Sequence, residues 1–259
     1  MHISFTKYQG TGNDFVMLDN RLGVYNNVDI KEVIDLCDRR FGIGADGLIR
    51  LNAHADFAFE MDYFNSDGSK SFCGNGARCT VAFANSLGID TKQVSFIGID
   101  GEHTASTTAH GVSLQMKDVA EVNTIAADYF VHTGSPHYIQ FVSNASEVDV
   151  FIQGKSIRYN DIYREEGTNV NFVEVVSQNK LFVRTYERGV EDETLSCGTG
   201  VTAAAIAYAV NNGLLGQQKI TIRTLGGNLA VSFLRNENTF SNVYLEGPAV
   251  AVFKGEIHV

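Results

Sequence analysis

The chain has 259 residues, enough for one large domain or two of about 130 each. Hydrophobic residues make up 44% and charged residues 19%, an ordinary globular balance that supplies a core. The net charge of −10 argues against a nucleic-acid partner, whose phosphates demand a basic surface. No apolar run approaches the ~18–20 residues that cross a bilayer. The N-terminal MHISFTKYQGTGNDF lacks the basic-then-apolar order of a signal peptide. The expectation is a cytoplasmic protein with no membrane partner. Its four cysteines, Cys37, Cys73, Cys79 and Cys197, are too few for a disulfide scaffold in a chain of this length.

In chain order, the first predicted element is a surface helix over 30–39, with Ile30, Val33, Ile34 and Cys37 on one face. A strand follows over 56–64 (DFAFEMDYF). A Gly-rich turn then leads into a helix over 77–87, stopped by Gly88. Strands over 94–99 and 112–116 come next. The polar stretch KDVAEVNT at 117–124 separates two strand patterns and marks a boundary, giving domains 1–117 and 118–248, with 249–259 returning to the first. The second half offers strands over 129–132, 170–176 and 181–186, then a helix over 201–210 ending before Gly213. Strands over 220–223, 229–234 and 243–245 complete it.

The two central helices are apolar almost all the way round, so each must be enclosed on every side. The sequence around them offers mainly strands. The fold class expected is α/β (α+β), with two halves, each a curved, mainly antiparallel sheet around one buried helix.

An internal echo supports the duplication. Residues 72–84 read FCGNGARCTVAFA and residues 196–209 read SCGTGVTAAAIAYA. Two C-G-x-G turns half a chain apart, each opening an apolar helix, point to a repeated unit. Cys73 and Cys197 thus stand at helix starts, where backbone N–H groups and the helix dipole favour negative charge. A thiol there ionises more readily and serves as a base, while the same N–H groups hold a carboxylate. Two such thiols suit removal of an α-proton from one face and redelivery from the other, with preorganised donors stabilising the carbanion. No GxGxxG follows a strand and no Walker loop is present, so no cofactor site competes. A zinc site is not expected either. Five residues separate Cys73 from Cys79, and no paired His follows at finger spacing. Cys37 and Cys79 read as core packing, the ordinary fate of a lone cysteine.

Further polar clusters fall at strand ends or turns: GNDF (12–15), FNSDGS (64–69), GSPH (134–137), TNVNF (168–172) and YERG (186–189). Taken singly, each reads as turn chemistry. Together they make a polar ligand pocket credible. Glu187 and Arg188 end a strong strand, and His137 either tunes a thiol or closes a turn.

These stretches resemble the diaminopimelate epimerase family over almost the whole chain. The resemblance is carried, in order, by FTKYQGTGNDFVMLDN, RRFGIGADG, FNSDGSKSFCGNGARC, GSPH, NVNF, YERGVEDETLSCGTG, TLGGNL and EGPAVAVFKGEI. It implies two pseudo-symmetric domains, each a strand barrel around a central helix, with the site in the cleft between them. It also implies interconversion of LL- and meso-diaminopimelate on the route to lysine and peptidoglycan, without metal or pyridoxal phosphate, by a homodimer. Carried over by motif, Cys73 and Cys197 look like the acid/base pair, and His137 and Glu187 like the polar residues supporting them. Asn13, Asn65, Ser135, Asn169, Glu187 and Arg188 look like substrate contacts. Gly74-Asn75 and Gly198-Thr199 resemble the turns that hold the reacting carboxylate.

The chain departs from the family pattern in three places. Gly47 stands where many members have Gln, and Ser135 where many have Asn. RGVEDETLSCG is also one residue longer than the short form of that motif. These departures bear on contacts to the distal end of the substrate. The competing readings are a proline-type epimerase, a phenazine-type isomerase and a thiol-redox protein. Multiple polar contacts for a second amino-acid end weigh against the first, and the pairing of cysteines against the second. The absence of C-x-x-C weighs against the third.

Overall fold

A computed structural model describes residues 1–258. The chain divides into two compact units, one comprising 1–114 with the C-terminal stretch from Gly247, the other 115–246.

The first unit begins with β1 (His2–Gly10) and β2 (Asn13–Asn20), followed by α1 (Ile30–Cys37), β3 (Gly47–Asn52) and β4 (Glu60–Asn65). The central helix α2 (Gly74–Ser86) precedes β5 (Val94–Gly98), β6 (Gly101–Thr108) and β7 (Gly111–Gln115). Strands β1 and β2 form an antiparallel hairpin, β2 and β3 run parallel, and β3 and β4 antiparallel. Strands β4 and β5 touch in parallel, and β5–β6–β7 form an antiparallel meander.

The second unit repeats this wiring. It contains β8 (Asn123–Ile125), β9 (Asp128–His132), β10 (Pro136–Val142), α3 (Val150–Arg158), β11 (Asn169–Ser177), β12 (Lys180–Glu187) and β13 (Asp192–Thr194). The helix α4 (Gly198–Asn211) and strands β14 (Gly216–Thr224), β15 (Gly227–Asn236) and β16 (Thr239–Gly247) complete it. The order β9–β10–β11–β12–β14–β15–β16 has the same alternation of antiparallel and parallel pairs as β1 to β7. A small helix sits at the first parallel crossover and the apolar helix at the second, in both units. That shared sequence of strand senses is strong evidence of internal duplication. The last strand, β17 (Val250–His258), pairs antiparallel with β1.

The apolar helices lie at the centre of each unit. In α4, every residue from Gly200 to Ala209 is buried. Around it pack Val131, Ile139, Val173, Val183, Ile220, Val231, Phe240 and Leu245, drawn from seven strands. A surface helix needs only one apolar stripe, so burial all round accounts for the unbroken Val-Thr-Ala-Ala-Ala-Ile-Ala run. Its alanines favour the helix and keep it slender enough for a tightly curved sheet. In the first unit α2 packs on β1, β2, β3, β4 and β6. The opposite face of that sheet is covered by α1, whose Val33, Leu36 and Cys37 meet Val16, Leu18 and Leu48. Strand β2 is therefore buried on both faces, as its continuous Phe15-Val16-Met17-Leu18 run requires. In the second unit α3 occupies the corresponding outer position against Val170, Phe172 and Tyr186.

Both central helices start three residues earlier than the Gly-rich turns suggest. Gly74 to Gly76 and Gly198 to Gly200 form the first helical turns, with the cysteines as N-caps. Glycine is disfavoured inside helices. In a first turn the penalty is small, because those N–H groups have no partner within the helix.

Candidate active site

Cys73 and Cys197 cap α2 and α4 with nearly the same extended backbone, φ −128 and ψ 114 for the first and φ −116 and ψ 112 for the second. Each sulfur therefore stands at the positive end of a buried helix dipole. Their surroundings differ between the units.

In the first unit, Cys73 donates to Asn13 Oδ1 at 3.4 Å and accepts from the Gly76 N–H at 3.5 Å. Asn75 Nδ2 also donates to Asn13 Oδ1, at 3.4 Å, and Asn13 Nδ2 donates to Asp46 Oδ2 at 2.5 Å. Asp46 is anchored by Arg39, which also pairs with Asp14. Lys7 completes the cluster, bonded to Asp14 and to the Gly44 carbonyl. Burial alone would raise the Asp14 carboxyl, but Arg39 and Lys7 hold it well below the usual carboxylate range. This ion network fixes the turn that presents Asn13 to the thiol. Asn65 ends β4 and takes the Tyr63 hydroxyl on Oδ1 at 2.8 Å. Its amide donates to Ser69 and Ser71.

Gly47 stands next to Asn65 in the β3–β4 register. A Cβ at this position would lie 2.4 Å from the Phe64 carbonyl and 2.5 Å from the Tyr63 ring. The space of a longer side chain is thus filled by Tyr63, whose hydroxyl reaches Asn65 instead.

In the second unit the parallel pairing of β10 with β11 sets His137 beside Asn169. Antiparallel pairing sets Val170 beside Tyr186, which brings the end of β12 to the same edge. Asn169 ties three sequence clusters together. Its amide donates to Ser135 Oγ at 2.7 Å and to the Pro136 carbonyl at 2.9 Å, while its Oδ1 accepts from the Arg188 N–H at 2.9 Å. The Arg188 guanidinium donates to the Glu166 carbonyl.

His137 is fully buried, and desolvation drives its pKa down to about 3. The imidazole is therefore neutral. Asn171 Nδ2 contacts His137 Nδ1 at 3.2 Å and the Tyr138 carbonyl at 3.1 Å, so Nδ1 accepts and the ring proton belongs on Nε2. Thr185 Oγ1 donates to Asn171 Oδ1 at 2.9 Å, fixing the amide orientation. Burial raises the Glu187 carboxyl above its ordinary value.

Cys197 contacts Thr199 Oγ1 at 3.5 Å, and the Thr199 carbonyl accepts from Thr133. Gly200 joins these parts. A Cβ there would lie 2.5 Å from Asn171 Oδ1 and 3.4 Å from Cys197 Sγ. Only a glycine lets the helix start come this close to the Asn171–His137 pair.

Within the first unit the structure brings together Cys73, Asn13 and Asn75, and sets Asn65 on the adjoining β4 end. Within the second it gathers Ser135, His137, Asn169 and Arg188 at one sheet edge, with Cys197, Gly198 and Thr199 at the helix start. Sequence reasoning did not single out Asp46, Asn171 or Tyr63. Asn171 was findable, because alternation in a strand puts it on the same face as Asn169. Among the described residues no three His, Cys, Asp or Glu side chains gather as a metal site, and no helix is long and apolar enough to cross a membrane.

A family model described as diaminopimelate epimerase matches residues 5–121 and 129–252. The chain belongs to the diaminopimelate epimerase family. It is 51% identical to a diaminopimelate epimerase of Flavobacterium psychrophilum over 97% of this chain and 98% of that one. Identity to the diaminopimelate epimerase of Chlorobaculum tepidum is 42%, over 96% of this chain and 98% of that one. Among solved structures, a phenazine biosynthesis protein of the PhzF family from Bacillus anthracis aligns with a TM-score of 0.77 at 12% identity, covering 100% of both chains. A hydroxyproline epimerase from Agrobacterium vitis aligns with a TM-score of 0.68 at 14% identity, over 99% of this chain and 92% of that one. At such identities these two show that the fold is shared, and the family rests on the sequence relatives.

Proposed function

We propose that this member of the family interconverts LL-diaminopimelate and meso-diaminopimelate by a two-base reaction at the α-carbon, with Cys73 and Cys197 as acid and base. The observation that carries this reading is the matched N-cap placement of the two cysteines on duplicated helices. The thiolate of one cysteine removes the α-proton, and the thiol of the other delivers a proton to the opposite face. The thiol and thiolate roles are then exchanged, and charge balances. The first-turn N–H groups of α2 and α4 and their dipoles stabilise the carboxylate as negative charge develops on it.

Asn13 orients Cys73. His137, neutral and held by Asn171, and the raised Glu187 carboxyl are the polar groups that support the two cysteines. Asn65, Ser135, Asn169 and Arg188 bind the remaining amino-acid end of the substrate, where Arg188 supplies the cation for a second carboxylate. Such a reaction needs neither metal nor pyridoxal phosphate. The product serves lysine and peptidoglycan precursor synthesis, and the protein acts as a cytoplasmic homodimer.

The test is conversion of pure LL-diaminopimelate by purified, reduced protein in the presence of a chelator, followed by separation of stereoisomers. Approach to an LL/meso mixture from either side is the expected result. Turnover of proline or hydroxyproline with none of diaminopimelate would overturn the substrate assignment.

A further inference from the structure

The turn that carries Asn13 is fastened from two sides. Thr11 and Gly12 both take left-handed backbone, with φ of 53° and 89°, and two side chains hold them there. Gln9 Oε1 accepts from the Gly12 N–H at 3.0 Å. The guanidinium of Arg78, fully buried on α2, donates to Thr11 Oγ1 at 3.1 Å. With the Asn13 backbone fixed in this way, one freedom is left to its side chain. Either end of the amide can face the Cys73 sulfur.

That choice bears on the chemistry. An amide oxygen only accepts, so a sulfur bonded to it carries the proton. An amide nitrogen only donates, and would favour a thiolate. Asp46 makes the choice. Its Oδ2 accepts from Asn13 Nδ2 at 2.5 Å and from the Asp14 N–H at 3.2 Å, and its Oδ1 accepts from Arg39 Nη2 at 2.6 Å. The carboxylate thus draws the Asn13 nitrogen to itself and leaves Oδ1 for the other side. There Oδ1 accepts from the Cys73 S–H and from Asn75 Nδ2, both at 3.4 Å. Turning the amide over would set its oxygen against the carboxylate and its nitrogen against the Asn75 nitrogen. At Cys197 the neighbour at 3.5 Å is the Thr199 hydroxyl, which can donate as well as accept, so that contact selects no protonation state.

We infer that Asp46 is a positioning residue that locks the Asn13 amide, so that Cys73 rests as the thiol and enters the reaction as the acid. Its S–H breaks as the new C–H bond forms. The Gly76 N–H at 3.5 Å and the helix dipole take up the charge left on the sulfur. This inference rests on the two-cysteine reading above and adds what sets the protonation of one partner.

The test is alkylation by iodoacetamide from about pH 5 to pH 10, which reads thiolate fraction directly. Peptide-resolved mass spectrometry follows Cys73 in wild type, Asp46→Leu and Asp46→Asn, with far-UV spectra to confirm the fold. Wild-type Cys73 should stay a thiol at neutral pH. Asp46→Leu has no acceptor, so the Asn13 amide can turn its nitrogen to the sulfur. The Cys73 midpoint should then fall by about one unit, speeding its labelling at neutral pH about tenfold. Asp46→Asn removes the charge and keeps an acceptor. Its oxygen belongs on the side of Asn13 and the Asp14 N–H, where it serves two donors instead of one. The Asn variant should therefore stay near wild type.

An unmoved Cys73 midpoint in folded Asp46→Leu overturns the inference. So does an equal fall in Asp46→Asn, since the lost charge alone would then explain it. Should Asp46→Leu fail to fold, a wild-type Cys73 midpoint below pH 7 overturns the inference alone. Alkylation involves no diaminopimelate. Failure of epimerisation would thus sink the proposed reaction while leaving this readout intact, and an active epimerase with an unmoved Cys73 would sink only the role of Asp46.

Discussion

Burial of neutral His137 has a measurable consequence for stability. Its folded pKa of about 3 compares with an ordinary 6.5 in the unfolded chain. Between those values the unfolded state binds a proton that the folded state refuses, so stability falls as pH drops through the unfolded pKa. The contribution is fully present above about pH 7 and is lost progressively towards pH 3. At pH 5 the unfolded histidine is almost wholly protonated, and the loss relative to pH 7 is about 2 kcal/mol. That is a large share of the 5–15 kcal/mol typical of a native protein.

The assay is urea denaturation of wild type and His137→Gln at both pH values. Glutamine keeps a polar amide and does not titrate. Other groups titrate in both proteins, so the difference of differences isolates His137. His137→Gln should lose about 2 kcal/mol less than wild type on going from pH 7 to pH 5. Equal losses would show that the imidazole is protonated or solvated in the fold, and the account of a neutral ring held by Asn171 would fail.

Two further outcomes follow from the same geometry. Gly200→Ala places a methyl 2.5 Å from Asn171 Oδ1 and close to Cys197. Overpacking of this kind costs about 1–3 kcal/mol, and kcat should fall at least tenfold while the far-UV spectrum stays native. Full activity would mean that the helix start does not abut Asn171. Cys37 sits in the α1 core with its thiol pushed up to about 11 by burial, so Cys37→Ala should cost some stability in thermal melts and leave kcat within about twofold. Loss of turnover in a folded Cys37→Ala would refute its packing role.

The central helices were legible because a segment apolar on every side has only one stable environment, and the C-G-x-G echo gave their pairing. Their starts were not, because glycine reads as a turn until the cysteine is seen to be the cap. Strand β10 escaped notice because Pro136 suggests a turn. Proline is tolerated as the first residue of a strand, which is where it stands. Helix α3 was hidden by Gly154 in its middle. The structure gives the reason, since a Cβ there would stand 2.4 Å from Tyr186 Cβ.

Of the candidate site, the residues in repeated or punctuated motifs were readable one by one. Their hydrogen-bond partners were not. That Asn169 joins Ser135 to Arg188, or that Asp46 steers Asn13, depends on strand register, which no local pattern in a single sequence reports. Arg78 carried a signal that was passed over: a charge inside an otherwise apolar helix needs a partner, and none lies nearby in the sequence.

The two-base claim is tested most directly by early-time turnover of LL-diaminopimelate in heavy water. Two cysteines with separate protons should place one solvent deuterium at the inverted carbon of the meso product, while recovered LL substrate stays protiated. Cys73→Ala and Cys197→Ala should each abolish the conversion. Deuterium entering LL substrate as fast as meso product, or conversion surviving in either variant, would contradict the account and point to a single base serving both faces.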